Sequence, residues 1–380
     1  MRTLRKIAFL LEEFSKPSPA QQLVDRFLAG WLMDGEFRRS PFESASAYVM
    51  LSTNPPDLEQ RTKDFKLTVV PRAEQAIESA DAVIIASRKP GALANERFVR
   101  IALDSLPAGG ACFTHGALAN SLEQAREFAT LARSRQIDLL AGTPLCITWR
   151  LPEVNLPLAT PLSEALIVVQ ANPSPGQASP PSPPSSLRGA ELHALEGLLP
   201  VIERRRGGES GVRSIRFLED AALWKAGARG EWSWPLLAAA LSRSHSPQGD
   251  ALLDGRTQDL VGLGLVPNLA RNPRGWLIEH RDGLRSAVLV LDGVVADFNF
   301  AVQPRGGGII SSQLYRAPTP AEHHFSRLAA VMEEFFRTGK SPWPLERNLL
   351  IAGLLERFGQ PSSRTGRTVP TPNLGIAYPS

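Results

Sequence analysis

Two histidines are the side chains in this sequence best suited to move protons. An imidazole titrates near neutral pH, so His115 and His193 can each accept or donate a proton there. His193 sits in Glu191-Leu192-His193-Ala194-Leu195-Glu196, a helix-periodic run in which His193 and Glu196, at i and i+3, share one face. A histidine on an apolar helix also has a plain structural use, as a hydrogen-bonded core residue. His115 closes the apolar run Ala111-Cys112-Phe113 and Thr114 precedes it. Arg150, in Thr148-Trp149-Arg150-Leu151-Pro152, offers a guanidinium to an anion or substrate, or to an ion pair at a domain junction. His115, His193 and Glu191 or Glu196 would also make a His/His/carboxylate set for a metal in an open site, with no spacing that makes it specific.

The elements that must position these groups are clearest over residues 81–145. Ala82 to Ala86 has the length and branching of a buried strand. Asn95 to Leu106 predicts a helix, stopped by Pro107-Ala108-Gly109-Gly110, and Ala111 to Phe113 a second strand. Ser121 can cap the next helix, Leu122 to Ser134, with Gln124 three residues on; Ile137 to Ala141 is the following strand. Strand, helix, strand, helix, strand predicts a parallel sheet with crossover helices. Ligands meet such sheets at the carboxyl ends of the strands, which puts Ser87-Arg88, Thr114-His115 and Gly142-Thr143 at the mouth. Upstream, Lys6 to Leu11, Ser46 to Leu51 and Leu67 to Val70 read as strands. Helices follow from Pro19, with Leu23, Phe27 and Trp31 on its apolar face, and over Arg72 to Ser79.

This pattern resembles the Gfo/Idh/MocA oxidoreductases. The run Phe113-Thr114-His115-Gly116-Ala117-Leu118-Ala119, its helix and Leu139-Leu140-Ala141-Gly142 are similar to the family segment that carries Glu-Lys-Pro; here Thr114, His115 and Gly116 occupy those positions. His193 matches the family's second-domain His and Glu196 its downstream acid; the upstream acid position is Gly189, with Glu191 the nearest carboxylate. Gly339-Lys340-Ser341-Pro342-Trp343-Pro344 fits the family's C-terminal turn. The resemblance implies an α/β fold: an N-terminal Rossmann-like parallel sheet plus a C-terminal α+β domain with an open, mainly antiparallel sheet, often a dimer face, hence a homo-oligomer. It implies hydride transfer between NAD or NADP and a sugar or polyol. His115 and His193 would then be an altered acid–base pair with Glu196, Ser87, Arg88 and Thr114 would face the cofactor, and Arg150 and Glu191 the substrate.

The nucleotide fingerprint departs from the family. Between the first strand and helix stands Glu12-Glu13-Phe14-Ser15-Lys16-Pro17-Ser18-Pro19, without a glycine. Two carboxylates would repel a pyrophosphate and two prolines remove backbone donors. Where such folds keep an acid for the ribose, the chain has Ser52-Thr53-Asn54-Pro55-Pro56. A second reading is therefore a non-redox descendant, a sugar-binding or regulatory protein; a third is a metal-assisted lyase or hydrolase using His115 and His193.

The organisation read from the sequence is a first domain over 1–148, a second over 149–357 and a tail over 358–380. A Pro/Ser-rich insert at 172–186 cannot pack a core and predicts a surface loop. In the second domain Leu162 to Gln170 and Val212 to Leu218 read as strands and Arg188 to Glu203 as a helix. Trp276 to His280, Arg285 to Leu291 and Val294 to Val302 predict an antiparallel meander through Asp282-Gly283 and Asp292-Gly293 turns. Trp224, Trp232 and Trp234 suit a sugar pocket or a core, and Arg204-Arg205-Arg206 an anion or a solvated turn. His323-His324 read as a helix-end feature. With 380 residues, 43% apolar, 21% charged and a net charge of +4, the composition is that of an ordinary globular protein. Scattered basic residues argue against nucleic acid, no run approaches a membrane span, and two cysteines in apolar runs fit a reduced, cytoplasmic setting.

Overall fold

The computed structural model describes residues 6–51, 56–87, 93–171, 187–246 and 259–379; Arg88 and the 172–186 insert lie outside them. Two compact units form, one from Met1–Ile147 with Arg316–Ala352, the other from Thr148–Tyr315 with Gly353–Ser380.

The first unit begins with β1 (Lys6–Leu11), α1 (Pro19–Ala29), a hairpin of β2 (Trp31–Met33) and β3 (Glu36–Arg38), and β4 (Glu43–Val49). It continues with α2 (Pro56–Phe65), α3 (Ala73–Ile77), β5 (Ala82–Ala86), α4 (Leu93–Ser105), β6 (Ala111–His115), α5 (Leu122–Ser134) and β7 (Asp138–Gly142). Five strands make a parallel sheet in the order β4-β1-β5-β6-β7, and Val69 bridges in parallel to Ala47 beyond β4. Chain order reverses between β1 and β5, the switch point of a doubly wound sheet. The Ser121 hydroxyl takes the Gln124 N–H at 3.2 Å, the cap the sequence predicts for α5. The first helix ends two residues short of Trp31. Gly30 lies at φ +99°, where an added Cβ would meet the Arg38 carbonyl at 2.3 Å, so the chain turns there into the hairpin. Trp31, on β2, still feeds the same core as Leu23 and Phe27. The expected strand at Leu67 to Val70 is reduced to the single Val69 bridge.

The second unit holds β8 (Arg150–Leu151), β9 (Leu162–Val169), α6 (Leu187–Ile202), β10 (Val212–Glu219), α7 (Asp220–Ala228), α8 (Trp234–Leu241) and α9 (Val266–Leu269). Then come β11 (Arg271–His280), β12 (Arg285–Asp292), β13 (Phe298–Pro304) and β14 (Ile310–Leu314). With β15 (Thr368–Pro370) they form an eight-stranded sheet ordered β15-β10-β11-β12-β9-β13-β14-β8. The β11–β12 hairpin forms as the Asp282-Gly283 turn predicts. The meander does not continue to β13, because β9 lies between β12 and β13, parallel to one and antiparallel to the other. Its Leu166-Ile167-Val168-Val169 run is buried on both faces, which suits the middle of a sheet and not its edge. Residues of α6 pack on one face and those of α7 and α8 on the other. Both faces of the central strands are covered by the chain's own helices.

After β14 the chain returns to the first unit with α10 (His324–Thr338), and α11 (Leu345–Gly359) starts there too. The second unit is therefore not the continuous stretch 149–357. The reason is the apolar face of α10: Phe325, Leu328, Met332, Phe335 and Phe336 complete the core of α1 and the parallel sheet. Trp343 Nε1 and Asn348 Nδ2 both donate to the carbonyl of Ala141 on edge strand β7, at 3.1 and 2.9 Å, which blunts that edge. The tail is not a loose end either, since β15 pairs with β10.

Phe336 is fully buried, its ring 6.3 Å from that of Phe27 and 6.1 Å from that of Phe42. Phe336→Ala should cost about 3–5 kcal/mol in urea unfolding. Phe37→Ala, which truncates a ring 56% exposed, should change stability by less than about 0.5 kcal/mol.

Candidate functional site

At the mouth of the parallel sheet, Ser87, Thr114, His115 and Thr143 are all buried, at the carboxyl ends of β5, β6 and β7. Asn95 of α4 donates its amide to the His115 carbonyl at 3.0 Å and fixes the strand end. The His115 ring lies nearly parallel to Phe325 of α10, centroids 5.9 Å apart at 27°. Neither ring nitrogen of His115 has a hydrogen-bond partner among the described residues, and neither does the Thr114 hydroxyl. Burial pushes the His115 imidazole down to about 4, so it is neutral at physiological pH.

His324, its ring centroid 5.0 Å from that of Phe325, is a buried histidine that sequence reasoning reads only as a helix-end feature. It is buried, its Nδ1 has no partner among the described residues, and its pKa falls to about 3. Burial comes first among the causes, then the cations Arg316 and Arg26, then His323 and His115. Arg26 braces this corner: it donates to the Gln22, Ala321 and Glu322 carbonyls and the Ser326 hydroxyl, at 2.8 to 3.2 Å. The available signal was Phe325, which belongs to the apolar face of its helix and carries His324 into the core with it.

The turn after β1 is built from side chains. Phe14 is fully buried in the core cluster of α1 and the parallel sheet, and Ser15 donates to the Glu13 carboxylate at 3.0 Å. These residues do not fit the pyrophosphate of a nicotinamide dinucleotide, which needs close backbone and free N–H groups.

In the second unit, α6 sends its polar groups in two directions. Glu191, fully buried, accepts the Trp276 indole N–H at 3.1 Å, and Trp276 stacks on Phe358 at 4.1 Å and 12°. Arg274, two residues along β11, is buried too; desolvation lowers its pKa, Glu191 opposing the shift. His193 is half-buried and meets the Phe298 ring edge-on, 5.9 Å and 84°. Arg150, also half-buried, lies 5.9 Å over the Phe300 ring and donates to the Val154 carbonyl at 2.8 Å. Phe298 and Phe300 are two residues apart, on one face of β13. The structure thus brings His193 and Arg150 to adjacent rings, with Glu196 buried on the same helix, and places Glu191 at β11.

Other sequence candidates are spent internally. Arg205 is buried and pairs with Glu209 at 3.0 Å and Asp282 at 2.7 Å; His280 spans Glu209 and Ser286 at 2.9 and 3.0 Å. Burial alone would raise the Glu209 carboxyl, but His280 and Arg205 outweigh it and hold it at about 2. Trp224, Trp232 and Trp234 pack on one another, with centroids 4.6 to 6.3 Å apart. Among the described residues no group of three or more His, Cys, Asp or Glu side chains is placed to hold a metal, and no helix is long and apolar enough to cross a membrane.

No protein-family model matches the chain, and no curated protein does. Solved structures do. The myo-inositol dehydrogenase of Lactobacillus casei, solved with NAD(H) and myo-inositol, matches 97% of this chain over 97% of its own, with TM-score 0.55 and 15% identity. GenD2 of gentamicin A biosynthesis, solved with NAD, matches with TM-score 0.59 and 13% identity, at the same coverage. A probable dehydrogenase from Thermotoga maritima matches with TM-score 0.59 and 11% identity, over 97% of this chain and 99% of that one. The chain shares the two-domain fold of these dehydrogenases. That fold accounts for the Rossmann-like parallel sheet of one unit and the mainly antiparallel sheet of the other.

The buried histidines set a pH dependence. Both have folded-state values below the ordinary 6.5, so in acid the unfolded chain takes up protons first and stability falls. The loss should begin below pH 6.5 and reach about 2 kcal/mol for each histidine at pH 5. Urea titrations from pH 7 to 5 should show this slope, and His115→Leu and His324→Leu should each flatten it.

Proposed function

We propose that the chain is a descendant of the Gfo/Idh/MocA dehydrogenases that binds a sugar- or polyol-like small molecule in its second unit. The arrangement on β13 carries this reading: the His193 imidazole and the Arg150 guanidinium stand half-buried on the neighbouring rings of Phe298 and Phe300. An imidazole supplies one donor and one acceptor and a guanidinium a fork of donors, a set suited to several hydroxyl groups at once. Glu196, one turn along α6, is the carboxylate placed to orient His193 in this reading, while Glu191 is spent on the Trp276 indole N–H at β11. The solved neighbours add support of the same kind, since one holds myo-inositol and another is a scyllo-inositol dehydrogenase.

An oxidoreductase acting on the same kind of substrate is the second reading, and one observation favours it. His115 stands at the carboxyl end of β6, in the segment where the family carries its lysine. In that reading His115 takes the proton-handling role of the family's lysine, and Ser87 and Thr114, at the ends of β5 and β6, would be the groups that meet NAD or NADP. A neutral His115 is in the form that accepts a proton.

A thermal-shift panel of inositols, hexoses and sugar acids tests the binding reading. At a hundredfold excess over Kd a true ligand adds about 2.7 kcal/mol of stability. His193→Ala and Arg150→Ala should each remove the shift while the unliganded melting temperature stays near that of the parent. A panel with no shift at all would end this reading. Hydride transfer to a nicotinamide with any responding polyol would establish the second.

A further inference from the structure

We infer that the mouth between β1 and β5 is sealed by the chain's own side chains and does not take a nicotinamide dinucleotide. The inference concerns the first unit alone and does not rest on the ligand of the second. A dinucleotide at a doubly wound sheet needs three things at the switch point: an opening between the two strands, backbone that lets the pyrophosphate approach, and free N–H groups at the first turn of the following helix.

At the strand ends, Glu12 N–H donates to the Ala86 carbonyl at 3.1 Å, which carries the β1–β5 ladder to the first residue of the turn. On the other side of β1, Met50 donates to the Leu11 carbonyl at 2.9 Å and Leu51 to the Glu12 carbonyl at 2.8 Å, so β1 is held on both flanks to its end.

The approach is filled. Phe14 is fully buried and belongs to the core cluster of α1 and the parallel sheet, where a glycine turn would leave room for the phosphates. The Arg61 guanidinium covers that ring at 5.8 Å, and its Nε and Nη2 fork onto both carboxylate oxygens of Asp25. Lys16 pairs with Asp57 at 2.8 Å. Among the described residues, Arg61 and Lys16 of this corner are therefore already paired with carboxylates of the same unit. Glu12 and Glu13 add negative charge to the turn itself.

The helix donors are used or hidden. Pro19, the first residue of α1, has no N–H. The Gln21 N–H is taken by the Ser18 hydroxyl at 3.1 Å, and the Gln22 N–H by the Ser18 carbonyl at 2.9 Å. That leaves Ala20, which is fully buried. A helix that caps itself this completely offers an anion no backbone group to bind.

The test uses the full-length chain with NAD, NADH, NADP, NADPH and ADP-ribose as probes, in calorimetric titration and thermal shift. The expected result is no saturable heat and no rise in melting temperature with any of the five. Amide hydrogen exchange gives a second measurement: protection at Glu12 and Gln21 should be the same with and without NADH. Saturable binding of any probe, or NADH-dependent protection at those amides, would overturn the inference. A sugar panel run beside it keeps the two conclusions apart. A polyol shift without a dinucleotide shift leaves both standing, whereas a dinucleotide shift removes this one and leaves the polyol site intact.

Discussion

The first unit depends on the apolar face of one helix that arrives late in the chain. Leu328, Met332, Phe335 and Phe336 of α10 complete the core that α1 and one face of the parallel sheet begin. The other face is already served by α3, α4 and α5. Each buried leucine, methionine or phenylalanine contributes about 1.5–3 kcal/mol by leaving water. Several such residues on one stripe decide which unit the segment belongs to. Trp343 and Asn348 then fix the start of α11 on the edge carbonyl of Ala141.

That docking has an electrostatic consequence. By seating Phe325 against the rings of His115 and His324, α10 helps remove both imidazoles from water without giving their ring nitrogens a full set of partners. His280 in the second unit shows the alternative, with one ring nitrogen on Glu209 and the other on Ser286. A buried polar group left unpaired costs about 1–3 kcal/mol, so a core histidine ordinarily looks like His280. His115 and His324 do not. They cluster at the carboxyl end of β6, the place where a doubly wound sheet meets its ligands.

Fold and loop residues answer to different constraints in this chain. Its coverage of the inositol dehydrogenase is nearly complete, and the turn after β1 carries a buried Phe14 and leads into a helix capped by Ser18. A scaffold can be kept by its core while a ligand grip is rebuilt, because the core is fixed by many apolar contacts and the grip by a few loop residues.

By itself the sequence determined the local elements and their order. The β1, β5 and α5 segments fall where apolar runs, branching and the Ser121 cap predict, since those signals act over a few residues. It also made the missing glycine turn visible, because glycine has no substitute where backbone must approach a phosphate. Tertiary structure decided what depends on distant partners. The insertion of β9 between β12 and β13, the return of α10 to the first unit, and the pairing of β15 with β10 are long-range contacts that no local pattern encodes. The same holds for the site: residue types singled out His115, His193 and Arg150, but only packing set His193 and Arg150 on adjacent rings of β13 and buried His324 beside Phe325. Burial is a property of the neighbours that the fold supplies, and so it is read from the folded chain.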